Sequence, residues 1–203
     1  MIENLISGEG LILSKNGRAI EEFLKIKKKW KKFYWDMFYI SNLDFSNIKF
    51  NPKFNNYYPV FDTDRLSLSK IKRIYSKLPI NLDIRDCDFL FKDSANNESQ
   101  ISISYFKKEF ETSSFLGDSI RKIGDEVNKI ISLKEYLLLQ SFYYYYNEDF
   151  LDKKSSTFLK PISLINNKLL FLTACYDKET KSIIINTVDF SHCHPTNGAR
   201  IKQ

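Results

Sequence analysis

At 203 residues the chain can bury one substantial hydrophobic core, or at most two small ones. Hydrophobic residues make up 43% and charged residues 28%, which argues for a globular rather than a disordered chain. A formal net charge of +6 is modestly basic: it is compatible with an anionic partner and does not by itself require one.

Near the N-terminus, residues 11–14 read as a short strand closed by a turn at Asn16 and Gly17. From Arg18 the period changes. Phe23, Ile26, Trp30, Phe33, Met37 and Ile40 are spaced three or four apart and form one helical stripe. Six lysines lie among them. At about 100° per residue, Lys25, Lys28, Lys31 and Lys32 fall away from the stripe, while Lys27 and Lys29 flank it. The result is an amphipathic helix with an aromatic inner side and a basic outer side. Clustered lysines release counterions when they meet phosphates, so this face is a candidate for nucleic acid or an anionic membrane surface. No arginine sits in the cluster, which points to binding of low sequence specificity.

Residues 41–64 are rich in asparagine and contain Pro52 and Pro59, so they read as a long connection with one short strand near 48–50. A helix over 67–78 comes next, with Leu68, Ile71, Ile74, Tyr75 and Leu78 on one face and Pro79 as its stop. Ile80, Leu82 and Ile84 alternate, then Cys87, Phe89 and Phe91 alternate in the other phase. That is a strand with an irregularity near Arg85 and Asp86. Ile101, Ile103 and Tyr105 alternate with serines, and the two segments are expected to form a hairpin with one wet face.

Leu116, Ile120, Ile123, Val127 and Ile130 mark a further helix. Ser132 and Glu135 form a capping box that opens another, running through Tyr146 and apolar nearly all round. It is interrupted by Gln140 and Ser141 and is too short to span a bilayer. Beyond the charged stretch 147–156 come three apolar runs. Asn166 and Asn167 suit a two-residue hairpin turn between the first two, and 177–180 supplies the second turn. The middle run, with Leu169, Leu170, Phe171, Leu172 and Cys175, is apolar on both faces and should be a central strand.

The fold class expected is therefore α+β: a mainly antiparallel sheet with a C-terminal three-strand meander, packed against about four helices. No repeat or low-complexity linker interrupts the chain, so 1–203 is read as a single domain. Cys87, Cys175 and Cys193 are odd in number and widely spaced, which gives no disulfide framework and suggests a reducing intracellular compartment. The first ten residues show no basic stretch leading into an apolar run, so no secretory signal is read there.

Two constellations could carry chemistry. The only histidines, His192 and His194, lie just past the last strand. On an extended chain they share one side, as a general acid and base for phosphodiester cleavage would, with Arg200 close in sequence to hold a phosphate. The bland alternative is a strand end held by packing. Asp86 and Asp88 are two apart on the expected strand and are candidate Mg²⁺ ligands, although alternating carboxylates on a wet face are commoner. The pair is similar to that of nucleotidyltransferases, but the glycine-serine element of that family is missing upstream, so membership does not follow. No glycine-rich phosphate loop is present. Two functional expectations result: a nucleic-acid-binding protein, extended to a nuclease if the histidines act, or a non-catalytic subunit or adaptor. In the second case Trp30, Trp35 and the tyrosines 143–146 would serve a protein partner.

Overall fold

The computed structural model describes residues 9–49, 51–54, 56–84, 88–91, 101–163 and 169–203; the side chains of 9–16 and 163 are not described. The fold is α+β, with four α-helices and two sheets among the described residues. The chain divides into two compact units, residues 1–57 and 58–203.

The first unit is built on helix α1, Glu9–Phe38. Residues 11–17 belong to this helix, so the strand and turn expected there do not form. Gly17 has a negative φ and open space where a Cβ would sit, so it continues the helix at only an entropic cost. Of the expected inner stripe Phe23, Trp30 and Phe33 are buried, joined by Tyr34, whereas Ile26 and Met37 are half-buried and Ile40 lies past the end of the helix. The rings of Trp30, Phe33 and Tyr34 meet edge-on or tilted, with centroids 5.5 to 5.8 Å apart. Tyr39 ends the helix at φ 57°. Leu43 and Phe45 are then buried, and a 3-10 turn over Pro52–Phe54 closes the segment. Residues 48–49 are not a strand, and Phe50 lies outside the described residues.

In the second unit, β1 (Tyr57–Thr63), which begins at the boundary, pairs with β3 (Ile101–Lys107) as a two-stranded sheet. Helix α2 (Leu68–Tyr75) is capped by Ser67, whose hydroxyl accepts the Lys70 amide. Strand β2 (Asn81–Ile84) does not form a hairpin with β3. It lies parallel to β6 (Ser182–Val188), with Leu82 opposite Ile183 and Ile84 opposite Ile185. Residues Asp88–Phe91 form a 3-10 turn where the sequence suggested more strand. The expected irregularity at 85–86 lies outside the described residues. Nor is the face of β3 wet throughout, because Ser104 is buried and donates to Glu135.

The single helix expected over 116–130 is divided. Helix α3 covers only Ile120–Ile123, because Gly124 takes φ 58° and ψ −129°, outside any helical conformation; a 3-10 turn, Gly124–Lys129, comes after it. Helix α4 (Leu133–Asn147) opens on the capping box as expected: the Ser132 amide donates to Glu135, and the Glu135 amide to the Ser132 hydroxyl. Residues 135–141 are all buried, so its first turns are enclosed on every side. Gln140 meets that burial by bonding Tyr136, and both the carbonyl and the amide of Leu151.

The larger sheet has the order β2-β6-β5-β4-β7, with β4 Ser156–Ser163, β5 Leu169–Asp177 and β7 Asn197–Ala199. Strands β4, β5 and β6 are the antiparallel meander, with β5 at its centre as expected. Parallel strands β2 and β7 are added at the two edges. The asparagine turn at 166–167 lies outside the described residues. Strand β7 is tightly enclosed: a Cβ on Gly198 would sit 2.9 Å from the Ser114 carbonyl oxygen.

A buried ion pair fixes this unit. Asp152 accepts the Arg200 guanidinium at 2.7 and 3.1 Å, the Thr112 amide at 3.0 Å and the Thr157 hydroxyl at 2.8 Å. Burial alone would lower the pKa of Arg200, but the facing Asp152 carboxylate outweighs it and raises it. Glu135 is a second buried anchor. Burial alone would push its carboxyl up, but bonds from Lys202, Ser104 and Ser132 hold it below the ordinary glutamate value.

Each anchor makes a prediction. Asp152→Ala strands the buried Arg200 charge and should cost about 3–5 kcal/mol. At about 2–4 °C per kcal/mol for a chain of this size, calorimetry should find Tm lower by about 10 °C or more. For Glu135 the folded-state pKa is depressed, so its stabilisation is present above the unfolded value near 4.5 and is lost as pH falls through the folded value. Glu135→Gln should therefore lower Tm at pH 7, and the gap to the parent should close progressively below pH 4.5. A gap unchanged across that range contradicts the assignment.

Candidate functional site

The basic face of α1 lies opposite the buried row of Ala19, Phe23, Trp30, Phe33 and Tyr34. Its lysines do not behave alike. Lys27 turns back on its own unit: Nζ donates to the carbonyls of Phe45 at 2.6 Å and Ile48 at 3.1 Å. Its pKa is lowered, first by burial and then by the neighbouring Lys31. Lys31 is exposed but holds its ammonium 5.6 Å from the centre of the Phe45 ring, near Asp44. Lys32 is exposed and bonded to Asp36 one turn on. Lys25 and Lys28 are exposed, with no protein partner among the described residues. Glu21 and Glu22 lie at the N-terminal end of this face and are exposed as well.

Beside the lysines runs an unexpected apolar row. Ile20, Leu24 and Trp35 are 44%, 49% and 53% exposed, and Tyr39, just past the helix, is 73% exposed. Their spacing, with Lys28 and Lys31 filling the intermediate turns, places them on one outward stripe. The two tryptophans therefore divide: Trp30 is core and Trp35 is surface. Tyrosines 143–146 are only half-buried.

The histidine pair is presented differently from the sequence expectation. The chain does not stay extended after β6. It turns at 190–191 and again at 195–196, with the His192 amide bonded to the Asp189 carbonyl and the Asn197 amide to the His194 carbonyl. Both histidines are exposed. His194 Nδ1 lies 2.8 Å from the Thr196 hydroxyl. Cys193 donates to the Gly117 carbonyl at 2.8 Å, which pins the loop. Arg200 does not join them as an exposed phosphate holder: its side chain is 2% exposed and bound to Asp152.

Of the two candidate carboxylates only Asp88 falls among the described residues. Asp88 starts the 3-10 turn and pairs with Lys72 at 2.7 Å, while Asp86 lies outside the described residues. Among the described residues no group of three or more His, Cys, Asp or Glu side chains could hold a metal ion. None of the described helices is long and apolar enough to cross a membrane. Comparison with protein-family models, curated proteins and solved structures finds no match.

A cleft of about 470 Å³ between α2 and β2, which includes Lys72 and Arg73, has no counterpart among the sequence expectations. Only the helical period hinted that those two cations share the polar side of α2.

The division among the lysines is testable by stability alone. Lys27→Met leaves two carbonyls without their donor and should cost about 1–3 kcal/mol. Lys28→Met should change stability by less than about 0.5 kcal/mol. Denaturant titration of the two variants side by side checks this, and equal effects would refute the distinction.

Proposed function

We propose that this protein binds nucleic acid with little sequence preference through the outer face of α1, and that single strands are favoured over duplex. The observation that carries this reading is Trp35, 53% exposed on the same face as exposed Lys28, Lys31 and Lys32. Lysines at successive turns can follow a phosphate backbone by charge alone, and an exposed indole offers a surface on which any base can stack. The exposed phenol ring of Tyr39 lies one turn further on and extends the stacking surface. The lack of arginine in the cluster fits tolerance of sequence, because bidentate base readout is missing.

Nothing at the histidine loop supports cleavage. His192 and His194 are exposed on a turned loop, and the cation expected beside them is consumed by Asp152. A protein partner is the second reading, favoured by Ile20 and Leu24, which continue the exposed row toward the N-terminus of α1. Salt separates the two. Phosphate binding weakens steeply with ionic strength, whereas an apolar contact changes little.

The test is fluorescence anisotropy with a labelled oligothymidylate and a duplex of equal length. Lys25→Glu/Lys28→Glu/Lys32→Glu should weaken binding by at least about ten-fold and lower the salt slope by about two to three. Trp35→Ala should cost about 1–3 kcal/mol of single-strand affinity and less for duplex. Affinity and slope unchanged in the triple variant would overturn the proposal.

A further inference from the structure

The two edges of the five-stranded sheet are finished differently. At one end β7 is covered, since Ala199 forms a bridge with Ser114 on its outer side. At the other end β2 pairs with β6 alone, and among the described residues nothing pairs with its outer edge. The Asn81 amide donates inward to the Lys181 carbonyl. In a parallel ladder the direction of the backbone groups alternates from residue to residue, so the amide and carbonyl of Leu82 point away from the sheet. An open edge of this kind is a template for another extended chain.

The edge is not bare surface. Helix α2 stands beside it, and the cleft of about 470 Å³ is bounded by Lys72, Arg73 and Ser76 on the α2 side and by Ile80, Asn81 and Leu82 on the strand side. Asn81 and Leu82 are consecutive strand residues whose side chains go to opposite faces, so a cleft that touches both meets the strand at its edge. Among the described residues the walls contribute two cations and no carboxylate. Lys72 is shared with Asp88, whereas exposed Arg73 has no carboxylate partner among the described residues. Arginine matches a carboxylate bidentately, so the cleft selects an acidic chain.

We infer that the cleft between α2 and β2 takes an extended acidic segment of another protein, added as a further strand along β2. Its backbone completes the ladder at Leu82, and a carboxylate at an alternate position reaches Arg73. Main-chain bonds supply affinity and the cationic wall supplies selectivity, as in strand addition generally. This site is independent of the α1 face and stands or falls separately from it.

The experiment titrates the full chain with three fluorescein-labelled peptides of about ten residues, a length that covers a short strand with both flanks. One alternates Glu and Val, one alternates Lys and Val, and the third is the Glu–Val peptide N-methylated at alternate residues. The Glu–Val peptide should bind saturably, and the Lys–Val peptide at least about ten-fold more weakly. N-methylation should abolish binding, because it removes the donors of the added strand. Arg73→Glu should weaken binding by about ten-fold or more. Leu82→Pro should do the same without unfolding the chain, since an outward-pointing amide is where an edge strand accepts proline. The inference is overturned if the Glu–Val peptide does not bind, or if N-methylation and Arg73→Glu leave its binding intact. It is also overturned if light scattering shows a dimer that Leu82→Pro dissociates, which would give the edge to a second copy of the chain.

Discussion

The Asp152–Arg200 pair is the constraint on which the second unit depends. Both side chains are almost fully withdrawn from water, so neither can lose its partner without leaving an uncompensated charge inside. The two residues join segments far apart in the chain. Arg200 comes directly after β7 and also reaches the Glu109 and Phe110 carbonyls. Asp152 precedes β4 and takes the Thr112 amide. Close by, Glu111 accepts the amides of Lys153, Lys154 and Ser155, which ties the same two stretches a second time. The loop at 107–113, the turn at 149–155 and the C-terminal strand are thereby locked into one arrangement.

That arrangement decides what the surface of the unit offers. With β7 held against Ser114, one sheet edge is closed and the strand cannot recruit another chain. Arg200 is spent on structure and is not exposed beside the histidine loop. The opposite edge carries no such cover among the described residues, and it is there that a cleft with cationic walls appears. The interior thus directs interest away from the only histidines and toward α2 and β2.

In the first unit a similar division takes place on one helix. Lysines with identical chemistry are assigned different tasks by their angle about the axis and by the course of the chain once the helix has ended. Lys27 reaches the returning segment at 43–48 and becomes a structural donor. Lys25 and Lys28 are exposed, with no protein partner among the described residues. Trp30 and Trp35, five residues apart, end on opposite sides of the same helix for the same geometrical reason.

Local chemistry determined much of this protein in advance. The stripe from Phe23 to Phe33, the capping box at Ser132 and the apolar middle strand are each set by side chains within a few residues of one another. Those features were legible because helix period, capping and β-branching act over short separations. What depended on distant partners was not. The parallel pairing of β2 with β6 joins residues about a hundred positions apart, and alternation in 80–84 is equally consistent with a local hairpin. Gly124 splits a run that hydrophobic spacing alone presents as one helix, since spacing does not record backbone sign. The role of Arg200 turned on whether Asp152 folds against it, and no pattern near Arg200 announces that pairing. Tertiary structure alone decided which charges face inward, because burial is a property of the whole chain and charge is written residue by residue.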